Sequence, residues 1–305
     1  MTEKLQSQEI FNLNPLAQIT FDALLSACAN HRNLGEKGKA KDVVNQFGEE
    51  ALRADLAAEQ TVLQSLRRYC DETGIRIEVR GEETGTSILG EKGERYVAVL
   101  DGLDGSSNYL ATKSWPYGTM FAIAKGSNPS YKDFEVASIS LPEENWILLA
   151  VKNVGVYLYD VDSKKFTDIK PFVDDKYDET KILSDNYFPE AKKMLNDMQN
   201  IWPRTGSTAA SITSIVVGEQ VKDSKFPLMN DGWQGLADVT RKGNLEQPIL
   251  YLILTELGGV MLDRKGEDIG NNSFKEWGQS EKIPVISAKS LEIARKILSR
   301  LQLKG

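Results

Sequence analysis

The sequence predicts a layered protein of mixed α/β (α+β) class, and three observations lead there. Two helical segments open the chain, a block of short β-rich segments follows, and helices then alternate with strands after about residue 175. Segments in that order are packed as sheet and helix layers around shared cores. The length of 305 residues suits one large domain or two fused halves. The boundary is expected near 175, with 1–175 holding the N-terminal helices and a largely antiparallel sheet, and 176–305 an α/β half.

The first helix is expected over 16–28, where apolar residues dominate. A polar stretch over 33–42 carries Lys37, Lys39 and Lys41 around two glycines and reads as a solvated loop. A second helix is expected over 54–70, because Leu56, Leu63, Leu66 and Cys70 recur at helical spacing. Asp55 falls in its first turn, where a carboxylate suits the cap and the dipole. Strands are expected over 75–79, 96–100, 119–124, 135–140, 146–151 and 156–159, each β-rich and bounded by turn residues. Further on, 208–217 reads as a helix opening after Gly206-Ser207, and 248–257 as a helix with Pro248 at its start and Gly258 at its end. A strand over 283–287 and an amphipathic helix over 290–301 close the chain.

Composition narrows the chemistry. Acidic residues outnumber basic ones, 44 against 37, so neither nucleic acid nor an anionic membrane surface is expected as a partner. The longest apolar runs, such as 249–254, are far short of the roughly 20 residues of a membrane span. The opening MTEKLQSQEI has no apolar signal core, so a cytoplasmic protein is expected. Two cysteines make no disulfide framework. One histidine, His31, makes no histidine-rich metal site and leaves little basis for a Ser-His-Asp triad. Any metal must be held by oxygen, which points to Mg²⁺, Mn²⁺ or Ca²⁺.

Three stretches stand out against that background. Gly81-Glu82-Glu83 directly follows an expected strand. Val97-Ala98-Val99-Leu100 runs into Asp101-Gly102-Leu103-Asp104-Gly105-Ser106-Ser107-Asn108. Glu246-Gln247-Pro248 opens a helix, ahead of Glu256 and Gly258-Gly259. In the second stretch, glycines let the backbone turn sharply between two carboxylates. Such a turn can aim Asp101, Asp104 and the Leu103 carbonyl at one point, a donor set suited to a hard cation. Two close carboxylates repel each other without one. The N–H groups and hydroxyls of Gly105, Ser106 and Ser107 can cradle a phosphate. A plain linking turn is the simpler alternative for this stretch taken alone.

Two other stretches suggest phosphatase chemistry and yield to simpler readings. Asp160-Val161-Asp162 follows a strand like a phosphatase nucleophile, but Ser163-Lys164-Lys165 and Phe166 make it a hairpin turn. Cys70 and Arg76 have the spacing of cysteine phosphatases, but Asp71 and Glu72 between them would repel phosphate.

The Asp101–Asn108 run and the upstream Glu82-Glu83 pair resemble the metal-dependent, lithium-sensitive phosphatases, the superfamily of inositol monophosphatases and fructose-1,6-bisphosphatases. The resemblance extends from about Asp55 to the end of the chain. It implies an αβαβα sandwich with the site between its halves. It implies hydrolysis of a small sugar or polyol phosphate, fructose 1,6-bisphosphate, inositol 1-phosphate or both, with two or three Mg²⁺ ions or Mn²⁺ in their place. A homo-oligomer, dimer or tetramer, comes with it. By position, Glu82 matches the first metal ligand, Asp101 a carboxylate bridging two metals, the Leu103 carbonyl a ligand of one, and Asp104 a ligand of the other. Ser106 matches a group that helps orient the attacking water and Asp55 a carboxylate near it, and in the mechanism this suggests Glu83 joins them in orienting that water and accepting its proton.

Gly206-Ser207-Thr208-Ala209 resembles the helix start that lines the family's substrate pocket, although Ser and Thr are also ordinary caps. Arg204 precedes it, and Arg241 and Lys242 could meet a second phosphate or be exposed loop charges. There are two departures. The last metal ligand falls on Glu246 by its spacing to Gly258-Gly259, although Asp238 is an alternative. Gly102 stands where the family usually has Pro, which suggests a looser turn. The lead-in 91–97 is similar to the fructose-bisphosphatase branch, whereas the short length and the stretches at 204–208 and 237–243 are closer to the monophosphatase and archaeal dual-activity branches. A nucleotide phosphatase acting on 3′-phosphoadenosine 5′-phosphate and a non-catalytic family member are the competing readings.

Overall fold

A computed structural model describes residues 7–41, 43–45, 50–111, 115–173, 176–184, 189–195, 202–203, 206–221, 224–238, 245–275 and 284–301. The chain opens with α1 (Ser7–Leu13) and α2 (Pro15–Leu34), a 3-10 turn (Gly35–Lys39), β1 (Val43–Val44), β2 (Glu50–Ala51) and α3 (Arg53–Thr73). The sheet block follows: β3 (Arg76–Gly81), β4 (Gly85–Leu89), β5 (Arg95–Asp104), α4 (Ser106–Ala111), β6 (Gly118–Lys125), β7 (Phe134–Leu141), β8 (Trp146–Val151), β9 (Gly155–Asp160) and β10 (Lys165–Ile169). The last part holds β11 (Ile182–Ser184), α5 (Pro189–Met194), β12 (Trp202–Pro203), α6 (Thr208–Val217) and β13 (Gly235–Asp238). It ends with α7 (Gln247–Thr255), β14 (Val260–Leu262), β15 (Val285–Ala288) and α8 (Leu291–Arg300).

Apart from the β1–β2 pair, these strands form two sheets. The first has eight strands in the order β10-β9-β8-β7-β6-β5-β3-β4, antiparallel except for the parallel pair β3 and β5. The second has five, β12-β11-β13-β15-β14, with parallel pairing on both sides of β11.

Alternation along the strands sends side chains to both faces of the first sheet. On one face Ile77, Val79, Ala98, Leu100, Phe121 and Ile123 pack with Leu24, Ala27, Val62 and Leu66 of α2 and α3. On the other, Val97, Val99, Met120 and Ala122 pack with Ile212 and Ile215 of α6 and with Ile249 and Ile253 of α7. The same cluster includes Leu183, Leu236 and Val285 of the second sheet. The far face of that sheet, through Ile182, Ala237 and Ile286, packs with Ile293, Ala294 and Ile297 of α8. The layers therefore read αβαβα, as the resemblance implied. All ten side chains of α6 are buried because the helix lies between two sheets.

Local chemistry sets the ends of the elements. Asn14 Oδ1 accepts the Leu16 N–H at 3.0 Å and Pro15 opens α2. The helix then runs past the expected residue 28 to Leu34 and stops at Gly35, whose φ is 45°. The stretch read as a solvated loop forms a 3-10 turn over Gly35–Lys39, pinned where Tyr109 donates to the Gly35 carbonyl at 2.7 Å. The Asp160–Lys165 segment is the expected hairpin turn, with the Ser163 N–H on Asp160 Oδ1 and Lys164 at φ 54°. Strand β10 is the second arm of that hairpin, whereas β1, β2, β4, β11, β12, β13 and β14 have no counterpart among the expected strands. No helix among the described residues is long and apolar enough to cross a membrane.

Candidate metal centre

The parallel pairing of β3 and β5 creates the centre of the site. Gly81 pairs with Leu100, and the Glu82 N–H donates to the Leu100 carbonyl at 3.1 Å. Glu82 thereby leaves β3 next to Asp101 on β5. That strand does not end at residue 100 as expected but continues to Asp104, with its register against β6 shifted between Asp101 and Asp104. Such an irregularity re-aims side chains. Carboxylate oxygens of Asp101, Asp104 and Glu246 all lie within 4.8 Å of one another. Glu246 comes from the start of α7, just ahead of Gln247-Pro248.

Three oxygens at that spacing fit around one hard cation, whose bonds to oxygen are roughly 2.0–2.6 Å long. The electrostatics agree. Burial first, then the charges of Glu82, Asp104, Asp55 and Glu59, hold the Asp101 carboxyl well above the usual carboxylate range. Asp55 is raised in the same way, by burial and then by Glu82, Glu83 and Glu59. So much negative charge in so little solvent needs protons or a cation. The donor set therefore suits a hard divalent cation.

Asp55 does not cap α3. The N-cap is Leu52, which makes no side-chain cap, and Asp55 is buried in the first turn beside the charges of Glu82, Glu83 and Glu59. Burial beside these carboxylates favours the protonated form of Asp55, which places a proton-holding group at the rim of the cluster.

Four residues along the same face of α3 lies Glu59, which was not among the expected site residues. Its side chain is fully buried and accepts the Glu83 N–H at 3.0 Å and the Thr84 N–H at 2.8 Å. It therefore fixes the turn that carries Glu82 and Glu83. Gly81 leaves room for this contact, because a Cβ would lie 2.5 Å from both Glu59 Oε2 and Thr84 Oγ1. Glu59→Leu should leave two buried N–H groups without acceptors and cost about 2–4 kcal/mol in chemical denaturation. An unchanged midpoint would show that the turn does not depend on Glu59.

Asp104 links the first sheet to α6. Its Oδ2 accepts the Ser207 hydroxyl at 2.5 Å and the Ala209 N–H at 2.7 Å. Ser207 in turn accepts the Ala210 N–H at 3.0 Å as the N-cap of α6. Ser207 and Thr208 have no exposed surface, whereas Ser107 is exposed and Gly105, Ser106 and Gly206 are half-buried. The Ser207 hydroxyl is thus used in holding Asp104. Ser106 donates its hydroxyl to the Leu103 carbonyl at 3.1 Å. Gly105 has φ 94°, and a Cβ there would meet Ser207 Cβ at 2.8 Å, so glycine lets the two helix starts approach.

Gly102 does not make the turn loose. A Cβ at this position would lie 2.5 Å from the Asp55 carbonyl oxygen and 2.6 Å from Asp55 Oδ1. The missing side chain lets α3 pack directly against β5. Gly102→Ala should destabilise the fold by about 1–3 kcal/mol, read as a lower melting temperature. A melting temperature equal to wild type would mean that this contact yields easily. Asp238, the alternative fourth ligand, is buried on β13 opposite Val285 and is not in the carboxylate cluster. Arg204, Arg241 and Lys242 lie outside the described residues.

No family model matches the chain, and no curated protein matches its sequence. Solved structures do match its fold. A Pyrococcus horikoshii protein described as having similarities to inositol-1 monophosphatase is 19% identical, with a TM-score of 0.65 over 95% of this chain and 99% of its own. The extragenic suppressor protein suhB from Bartonella henselae is 15% identical, with a TM-score of 0.69 over 95% and 99%. The chain has the inositol monophosphatase fold. A third neighbour with that fold, the MJ0109 gene product, is named inositol monophosphatase-fructose 1,6 bisphosphatase. It is 17% identical, with a TM-score of 0.63 over 93% of this chain and 98% of its own. In this chain, the fold brings the ends of β3 and β5 together with the starts of α3, α6 and α7.

Proposed function

We propose that this chain is a divalent-cation-dependent phosphomonoesterase of the inositol monophosphatase family, acting on a small sugar or polyol phosphate. The observation that carries the reading is the convergence of Asp101, Asp104 and Glu246 in this fold. The eight-stranded sheet is read as the core of the 1–175 half and the five-stranded sheet as that of the 176–305 half. The Asp101 and Asp104 oxygens then meet Glu246 from across the boundary.

Mg²⁺ is proposed as the ion, held by Asp101, Asp104, Glu246, Glu82 and the Leu103 carbonyl. When bound it supplies a counter-charge for the phosphate and makes water more acidic. Asp55 and Glu83 take up the proton released by the attacking water, and burial holds the Asp55 carboxyl above the usual carboxylate range. Ser106 orients that water, and Gly105, Ser106 and Ser107 hold the phosphate. Ser207 keeps Asp104 in place by its hydrogen bond. An acidic chain, with net charge −7, binds an anionic substrate in this way because cations stand between them.

The substrates are assigned to fructose 1,6-bisphosphate and inositol 1-phosphate. The test is phosphate release from both, side by side, with Mg²⁺ titrated and Li⁺ added. Turnover of either that requires Mg²⁺ and falls with Li⁺ supports the reading. No release from either, by a folded protein, would overturn this substrate assignment and favour a nucleotide phosphate or a non-catalytic role.

A further inference from the structure

The chain's single histidine lies beneath this centre. His31, on α2, is 1% exposed, and its Nε2 lies 3.0 Å from the Gly102 carbonyl oxygen and 3.1 Å from Thr119 Oγ1. Thr119, fully buried on β6, donates its hydroxyl to the same carbonyl at 2.9 Å. The Gly102 carbonyl and the Leu103 N–H belong to one planar peptide unit. That N–H donates to Asp101 Oδ1 at 3.0 Å. One peptide is therefore held at both ends, by His31 and Thr119 at oxygen and by the Asp101 carboxylate at nitrogen.

A carbonyl only accepts, so Nε2 of His31 carries the proton. Burial pushes the imidazole down to about 4, which leaves it neutral near pH 7. Tyr109 and Tyr117 meet the ring at a steep angle, with centroids 6.2 and 5.8 Å away, and limit its rotation. Glycine at 102 gives the backbone wide freedom to turn this peptide. Two buried donors, reaching in from α2 and β6, remove that freedom.

We propose that His31 and Thr119 are positioning residues that orient the Asp101 carboxylate for cation binding through the Gly102–Leu103 peptide. The inference rests on the metal-dependent reading of the site. Groups that orient a metal-binding carboxylate or imidazole typically change metal affinity by about 10–100-fold when removed.

The experiment uses the full chain and Mn²⁺ alone as the probe, with free Mn²⁺ read by electron paramagnetic resonance. Exchange of the Leu103 amide is followed in the metal-free protein as a second readout. His31→Phe keeps a ring but no donor, and should weaken Mn²⁺ binding by about tenfold and speed Leu103 exchange. His31→Gln, whose amide N–H can reach the same carbonyl, should recover most of both. Thr119→Val should shift both in the same direction as His31→Phe, and decides the matter if His31→Phe does not fold. Folded His31→Phe and Thr119→Val proteins with wild-type Mn²⁺ affinity and wild-type Leu103 exchange would overturn the proposal. So would a His31→Gln protein as impaired as His31→Phe. If wild type itself binds no Mn²⁺, the metal reading fails, and Leu103 exchange alone then decides whether the clamp exists.

Discussion

Asp101→Asn is expected to lower turnover on the order of 10³-fold while giving a folded protein that is more stable than wild type in metal-free buffer. Activity falls because the central carboxylate of the cluster is lost. Folding survives because Asn Oδ1 can still accept the Leu103 N–H that Asp101 accepts now. The stability gain follows from the charges around it. Asp101 and Asp55 keep their protons to higher pH when folded, chiefly through burial, than in the unfolded chain, where Asp titrates near about 3.9. The folded state then binds more protons than the unfolded one. Stability without metal therefore falls as pH rises from about 4 through the raised folded-state values. Wild type in chelator should melt lower near about pH 8 than near about pH 5, and Mg²⁺ should restore more at the higher pH. Asp101→Asn should flatten that profile and raise the metal-free melting temperature by roughly 2 °C or more near neutral pH. Full Mg²⁺-dependent activity in this variant would remove Asp101 from the site.

Glu246→Gln is expected to raise the Mg²⁺ concentration for half-maximal activity by roughly tenfold or more, whereas Asp238→Asn should leave it near wild type. The estimate is a lower bound by analogy, since even groups that only support a metal ligand cost about 10–100-fold when removed. The contrast is geometric. Both residues are acidic, little exposed and close in sequence to the same helix, but only Glu246 shares the 4.8 Å cluster with Asp101 and Asp104. A shift with Asp238→Asn and none with Glu246→Gln would move the fourth carboxylate to β13. The two titrations together settle the choice that spacing alone left open.

The layered architecture and the carboxylates were legible in the sequence because strong local signals mark them. An apolar strand running into an Asp-Gly turn and a Glu ahead of a Pro-started helix mark Asp101, Asp104 and Glu246, the three that converge. The supporting residues were not legible, because their partners are distant in the chain. Glu59 acts on a turn 24 residues away, and His31 on Gly102 and Thr119, 71 and 88 residues away. For Glu59 there was a signal: it sits one helical turn after Asp55 and so shares its face. Strand β4 gives no clear signal, because at the sheet edge both Thr86 and Ile88 are exposed, and β11 to β14 are only two to four residues long. The extension of β5 through Asp104 was hidden by Gly102, which reads as a turn but serves as a close contact for α3.

In the proposed reading, Asp101, Asp104 and Glu246 bind a divalent cation together. Crystals of the wild-type chain grown with Mn²⁺ and measured for anomalous scattering test it directly. A peak is expected roughly 2.0–2.6 Å from one carboxylate oxygen of each of the three residues. Crystals with Mn²⁺ bound elsewhere and no peak among these three side chains would contradict it.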